Sequence, residues 1–333
     1  MSISIAQKPV TATVDVNDKK VAETIGTDKT LVASQTYQEK IQIHYRNSNL
    51  IIRVRFAEFW DSHFSSHFTH TRSMILKGAS KIPDSLKGRA IIFGPGLIEP
   101  LSEISKKFKE VVLVDYDEFY LKKLVSPFKN VTYKVIDLSG GLCKKLADLL
   151  ATYDKSGFSI DDLKKIIGEL CHFKPDLQTI IKELGQADYV VSSLVSVMLS
   201  CQIVEVIKMI IEKYALSGTR EDVIYLRETL SNITEPFHIQ TLFNLVKETG
   251  FVYYADTMRS LTVDDSDDDK SNVKIVNVTR EVLPTTLELV KKIFQVKEQK
   301  VWNWSLVPEN NWHYEVEGYL MTKPKTPNAK SNG

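Results

Sequence analysis

Cysteine is scarce. The 333 residues carry three, Cys143, Cys171 and Cys201, far apart in the chain. That rules out a disulfide framework and a cysteine-rich metal centre, and it suits a reducing compartment where cysteine is a small core side chain. An excess of one charge is also missing, with Lys+Arg 43 against Asp+Glu 42. Nothing in that balance steers the chain toward nucleic acid or a membrane surface. No apolar run reaches the roughly 18 residues that a membrane span needs. The first 30 residues lack a charged start followed by a hydrophobic stretch, so no secretory leader is expected. A cytoplasmic location is the resulting expectation. What is present, 43% hydrophobic and 26% charged residues, suits a soluble globular protein with a sizeable core in one large or two smaller domains.

Residues 1–33 are polar, rich in Thr, Lys and Asp, and read as a loose arm. From 36 to 78 the chain turns aromatic, proline-free and poor in glycine. Ile51, Val54, Phe56 and Phe59 or Trp60 recur at helical spacing, which predicts one or two amphipathic helices. After "KIPDSLKG" the texture alternates. Strand-like "RAIIFG", "EVVLVD", "NVTYKVID", "ADYVVSS" and "FVYYAD" are separated by helical stretches. Strands alternating with helices predict a parallel sheet covered on both faces, and near-continuous hydrophobes fit strands buried on both sides. The end differs. "REVLPTTLELVKKIF" reads as a helix with Pro284 in its first turn. "KVWNWSLVP" and "WHYEVEGYLMTKP", separated by "ENN", then alternate side to side as an antiparallel hairpin. The acidic stretch "VDDSDDDKSN" (263–272) reads as a solvated loop, without the glycine and distal Glu of an EF-hand.

"IIFGPGLIEPL" (91–101) breaks a buried strand at Gly94-Pro95-Gly96. Such a break is either a bare turn or the place where a strand edge meets a ligand, because glycine lets backbone approach without a Cβ. Asp115 ends the next strand about twenty residues on, suited to two ribose hydroxyls. Asp137 ends the third strand, where an adenine edge would lie. Glycines, an acid and an acid on three consecutive strand ends point to a nucleoside. A dinucleotide needs its pyrophosphate over a helix start, with a third glycine for close packing. Here Leu97, Ile98 and Glu99 follow Gly96. S-adenosylmethionine has no phosphate and carries a cation, so it tolerates the carboxylate better.

In these residues the chain resembles the class I S-adenosylmethionine-dependent methyltransferases, over about 85–323. The resemblance implies an α/β fold: a seven-stranded, mostly parallel Rossmann-like sheet with an antiparallel last strand, here in "HYEVEGYLMTKP". It implies S-adenosylmethionine as cofactor. Phe93, Gly94, Pro95 and Gly96 would form the first motif, with Asp115 on the ribose and Tyr116 near the adenine. Asp137 and Leu138 would stand at the adenine edge, and Ser192 and Ser193 would face the cofactor and acceptor mouth. Two positions depart from the pattern. Ile92 stands where an acid is usual, and Ile98 where a third glycine is usual. Ser192-Ser193-Leu194-Val195 also replaces the Asn/Asp-Pro-Pro-aromatic motif of amide-nitrogen methyltransferases. With no basic stripe, nucleic acid is not the expected substrate, and a small-molecule acceptor fits better, at oxygen, nitrogen or carbon.

The implied layout is a flexible arm (1–33), an N-terminal helical cap (34–80), the methyltransferase domain (81–323) and a flexible tail (324–333). Two alternatives remain: an NAD-dependent oxidoreductase, and a non-catalytic module that keeps the fold. In the cap, Tyr45 and Trp60 are lid candidates over cofactor and substrate, against a plain aromatic packing face with exposed histidines. His63, His67 and His70 have helical spacing for a metal but no carboxylate or cysteine partner, so no metal is expected. Glu235 and His238, in "NITEPFHIQ", are expected at a helix start before the fifth strand. His238 is a candidate general base. Asp256 ends the fifth strand, either to hold a substrate amine or to cap the next turn.

Overall fold

The computed structural model describes residues 36–43, 65–95, 100–153, 158–264, 274–280, 283–307 and 312–324. The parallel strands fall where the hydrophobic runs place them: β1 (Arg89–Phe93), β2 (Glu110–Asp115), β3 (Val131–Val135) and β4 (Ala187–Ser193). Then come β5 (Val246–Asp264), β6 (Lys274–Arg280), β7 (Gln295–Val307) and β8 (Trp312–Thr322). The sheet runs β3-β2-β1-β4-β5-β8-β7, with β6 off that path and paired to β5. Strands β1 to β5 pair in parallel. β8 is antiparallel to both β5 and β7.

Two sets of side chains leave each central strand on opposite faces. Ala90 and Ile92 join Val111, Leu113, Tyr189, Val191 and Tyr253 in one buried cluster. Ile91 and Phe93 join Val112, Val114, Val190, Val252 and Tyr254 in the other. Both faces are dry, which is why these strands read as continuous hydrophobes rather than alternating ones. The first face is covered by α1 (Ser65–Lys81), through Phe68, Met74, Ile75 and Ala79, and by α2 (Leu101–Lys107) and α3 (Glu118–Val125). Helices α4 (Leu142–Tyr153) and α5 (Ile160–Cys171) form a further cluster with α7 (Ser196–Lys213) and the start of α8 (Arg220–Leu245). The second face is covered by α6 (Leu177–Leu184), the end of α8, and α9 (Pro284–Ile293).

Several expectations change here. α1, expected within the cap, is a layer of the sheet's own core: it packs on β4, β5, β7 and β8, and the Tyr189 hydroxyl donates to the Ile75 carbonyl at 2.8 Å. The short helical stretch over residues 37–43 does sit at the rim, with Ile41 buried among α4, α5, α7 and α8. β6 was not expected. It pairs antiparallel with the end of β5, so most of the acidic stretch falls in the connection 265–273, outside the described residues. Glu235 and His238 do not open a helix. They lie deep inside the 26-residue α8, with Pro236 between them. A proline there removes one helical bond. Packing of α8 against α5, α6, α7 and α9 holds the helix through that gap. Pro284 does take the first helical position of α9.

Candidate functional site

The carboxyl ends of β1 to β4 form one edge, and the register aligns them: Phe93 with Val114 and with Ser192, Asp115 with Val135, Ser193 with Ala255 of β5. Phe93 is fully buried. Gly94 follows with φ +55°, and its N–H donates to the Val114 carbonyl at 2.9 Å. That left-handed conformation suits glycine, and a Cβ there would meet the Val195 side chain at 2.8 Å. Pro95 is buried. Gly96, Leu97, Ile98 and Glu99 lie outside the described residues, as do Tyr45, Trp60 and His63.

At the end of β2, Asp115 accepts the N–H groups of Tyr116 (2.6 Å) and Asp117 (3.0 Å) on one carboxylate oxygen. Asp117 in turn caps α3, accepting from the Tyr120 N–H at 3.2 Å. Next to them Gln42, Tyr116, Asp117, Glu118 and Val135 line a cleft of about 260 Å³. The residue 37–43 segment thus forms one wall, and Gln38 bonds the Tyr116 hydroxyl. Burial, with Cys143 and Asp137 nearby, raises the Tyr116 phenol well above its ordinary value.

Asp137 stands just past β3 and works locally. Its carboxylate accepts the Ser139 N–H (3.0 Å), the Ser139 hydroxyl and the Cys143 N–H (2.8 Å). Ser139 accepts the Leu142 N–H at 3.1 Å, so the pair caps α4. Leu138 is buried in the second core cluster.

At the end of β4 the structure assembles a polar group that the sequence did not announce. Ser192, fully buried, bonds His238 Nε2 at 2.8 Å. The His238 ring lies edge-on to Phe93, with centroids 5.8 Å apart, and its Nδ1 has no partner. Ser193 is half-buried at the rim, and Leu194 beyond it takes φ 59°, which is unusual for a bulky residue. Asp256 does not end β5 but lies within it, because pairing with β8 carries the strand on to Asp264; it accepts from the Ser196 N–H (3.0 Å), the Ser196 hydroxyl and the Thr257 N–H (2.8 Å). Ser196 Oγ also meets the Tyr254 hydroxyl at 2.9 Å. The Asp256 carboxylate thus caps the start of α7, not a turn following β5. Burial raises it to about 6. No sequence signal marks Leu194; the Ser192–His238 contact joins residues 46 apart.

Glu235 Oε2 accepts from the Leu283 N–H (3.0 Å) and the Thr286 hydroxyl (2.9 Å), so it caps α9 from within α8. Its Oε1 is buried with no partner at full hydrogen-bond geometry among the described residues, and the Ser231 hydroxyl also acts on this carboxyl. Burial pushes this carboxyl up to about 7, against an ordinary 4.5. The folded protein therefore holds the proton between those values. That contribution to stability is complete below about 4.5 and lost as pH rises through about 7. Glu235→Gln cannot ionise. It should exceed the wild type in stability by about 2–3 kcal/mol at about pH 8 and lose that advantage in acid. Urea unfolding at the two pH values checks this, and a difference that does not vary with pH counts against it.

His67 and His70 lie on α1 facing β7. His67 Nδ1 accepts from Trp302 Nε1 at 2.9 Å, and His70 Nδ1 lies 2.7 Å from Lys300 Nζ. His67 is buried rather than exposed, and burial lowers it to about 3. Its imidazole therefore joins a helix to a strand.

The fold is the Rossmann-like α/β architecture that the resemblance implies, widened by β6. The nicotinamide-binding order 3-2-1-4-5-6 has no antiparallel strand between the fifth and the last parallel strand. Here β8 occupies that place. No protein-family model matches the chain, and no curated protein does. Among solved structures it is similar to the N-methyltransferase NodS from Bradyrhizobium japonicum WM9 in complex with S-adenosyl-L-homocysteine, at 8% identity. That match covers 87% of this chain and 100% of that one, with a TM-score of 0.41. It is also similar to an S-adenosylmethionine-dependent methyltransferase from Clostridium acetobutylicum ATCC 824, at 11% identity, over 81% and 98% of the chains, TM-score 0.39. A third is the complex between the Haloferax volcanii Trm112 methyltransferase activator and a methyltransferase, at 10% identity, over 83% and 99%, TM-score 0.39. At such scores the likeness carries no argument, and the fold is read from the strand order and pairing.

Proposed function

We propose that the chain is an S-adenosylmethionine-dependent methyltransferase acting on a small-molecule acceptor, with neither nucleic acid nor a membrane as partner. The observation that carries this reading is the aligned edge: Gly94 at positive φ, Asp115 and Asp137 after the next two strands, and Ser192 and Ser193 at the fourth, in a sheet ending with an antiparallel strand. The residues fit the cofactor. Phe93, Gly94, Pro95 and Gly96 would bear the methionine portion, and Asp115 the ribose hydroxyls. Tyr116, Asp137 and Leu138 would flank the adenine, while Ser192 and Ser193 stand toward the reacting end. Asp115, Asp117 and Glu118 gather beside the cleft, with Lys122 paired to Glu118 at 2.9 Å.

The bound cofactor supplies an already activated methyl group, so the protein's part is chiefly to position the acceptor and exclude water. Among the described residues no helix is long and apolar enough to cross a membrane. Tyr45 and Trp60 remain the proposed lid residues.

Asp115→Asn tests the cofactor assignment. Asparagine keeps an oxygen for the Tyr116 and Asp117 N–H groups but loses the charge. Affinity for S-adenosylhomocysteine should fall at least about tenfold, since charge-assisted bonds contribute about 1.5–3 kcal/mol. The melting temperature should barely move. An unchanged dissociation constant in the folded variant contradicts the assignment.

A further inference from the structure

We propose that Glu235, His238 and Ser192 form a buried relay that takes up the proton an oxygen, sulfur or nitrogen acceptor loses when it is methylated. The inference rests on the methyltransferase reading and adds the path of the proton. It starts from two buried atoms. Among the described residues His238 Nδ1 meets no hydrogen-bond partner, and Glu235 Oε1 meets none at full hydrogen-bond geometry, although the Ser231 hydroxyl also acts on that carboxyl. Buried polar atoms without partners are rare because each costs about 1–3 kcal/mol. These two stand at positions i and i+3 of α8, hence on one face of the helix. They are also complementary. If the Ser192 hydroxyl donates to Nε2, the neutral ring carries its hydrogen on Nδ1, a donor, and Glu235 Oε1 is an acceptor. One bridging water satisfies both.

The line has a direction. Ser192 occupies the end of β4, paired with Phe93 on one side and Tyr254 on the other, one residue below the rim. Glu235 is the inner end, fixed through Oε2 to α9. As the acceptor attacks the methyl carbon, the carbon–sulfur bond breaks and its electron pair goes to sulfur, leaving a neutral thioether. The acceptor's proton moves to Ser192 Oγ, directly or across one water. The hydroxyl's own proton moves to His238 Nε2, and the Nδ1 proton moves to the Glu235 carboxylate. Atoms and charge balance, and no other reactant is needed. Burial lowers His238 to about 3, so the ring passes a proton on rather than keeping it, while Glu235, at about 7, retains it.

The titratable groups near Glu235 are Asp256 and Tyr254 from β5 and His238 from its own helix. Tyr319 from β8 stacks on Tyr254. The test must separate Glu235 from Asp256, and it needs no acceptor. In ¹⁵N-histidine NMR of the wild type, His238 should be neutral with its proton on Nδ1. Its resonance should shift with a midpoint near 7, following Glu235. The shift should vanish in Glu235→Gln and persist in Asp256→Asn. A proton on Nε2, a resonance flat through neutrality, or a shift that survives Glu235→Gln overturns the relay. Calorimetry with S-adenosylhomocysteine on Glu235→Gln should give an affinity within about threefold of wild type. A larger loss assigns Glu235 to cofactor binding and also overturns the relay. Failure of the wild type to bind instead overturns the methyltransferase reading, whatever the histidine does.

Discussion

Asp188→Ala should cost about 3 kcal/mol of stability, near the largest effect expected of any polar side chain outside the site. Asp188 is buried at the start of β4. Its Oδ2 accepts the N–H groups of Gly88 (3.1 Å) and Arg89 (2.8 Å), where β1 begins, and its Oδ1 accepts from Lys247 Nζ (2.8 Å) on β5. One carboxylate thus ties three adjacent strands at their amino ends. The Lys247 side chain is 41% exposed, so its ammonium recovers water when the partner is lost. The two backbone donors belong to half-buried residues, and each one left stranded costs about 1–3 kcal/mol. Asp188→Asn keeps an acceptor for them and should lose only about 1 kcal/mol. Urea unfolding reads both. Equal losses in the two variants contradict the account.

Gly78→Val should destabilise the protein by about 3 kcal/mol or more, enough to leave much of it unfolded on heating. Gly78 lies on the face of α1 packed against β4 and β8. A Cβ there would stand 2.5 Å from the Tyr189 hydroxyl and 2.8 Å from a Leu320 methyl. Overpacking of this kind costs about 1–3 kcal/mol. Moving Tyr189 aside also strands the Ile75 carbonyl it serves. Replacing a helical glycine ordinarily gains about 0.5–1 kcal/mol, too little to reverse the sign. A variant as stable as wild type places α1 elsewhere than on β4 and β8.

The strands carrying the site were legible because both of their faces are buried. "RAIIF", "EVVLVD" and "ADYVVSS" coincide with β1, β2 and β4. Asp115 does close β2, whereas Asp137 stands two residues past β3 and Asp256 lies inside β5, whose length depends on pairing with β8. Long-range packing set the rest. Pro236 signals a helix boundary locally, yet burial on four neighbouring helices carries α8 through it. The helical spacing over 51–60 lies outside the described residues, while α1, expected within the same cap, packs on the sheet because its partner surface is set by distant strands. β6 lies past an acidic run that reads as plain loop, and its pairing depends on how far β5 extends. Glu235, His238 and Ser192 come from two elements 46 residues apart at the widest step, and only the fold joins them.

The central claim is that the edge over β1 to β4 binds a sulfonium nucleoside rather than a dinucleotide. Isothermal calorimetry of the full chain with S-adenosylhomocysteine, and separately with NAD, tests it most directly. Saturable one-to-one binding of S-adenosylhomocysteine and no heat with NAD is the predicted result. Binding of NAD, or of neither, contradicts it.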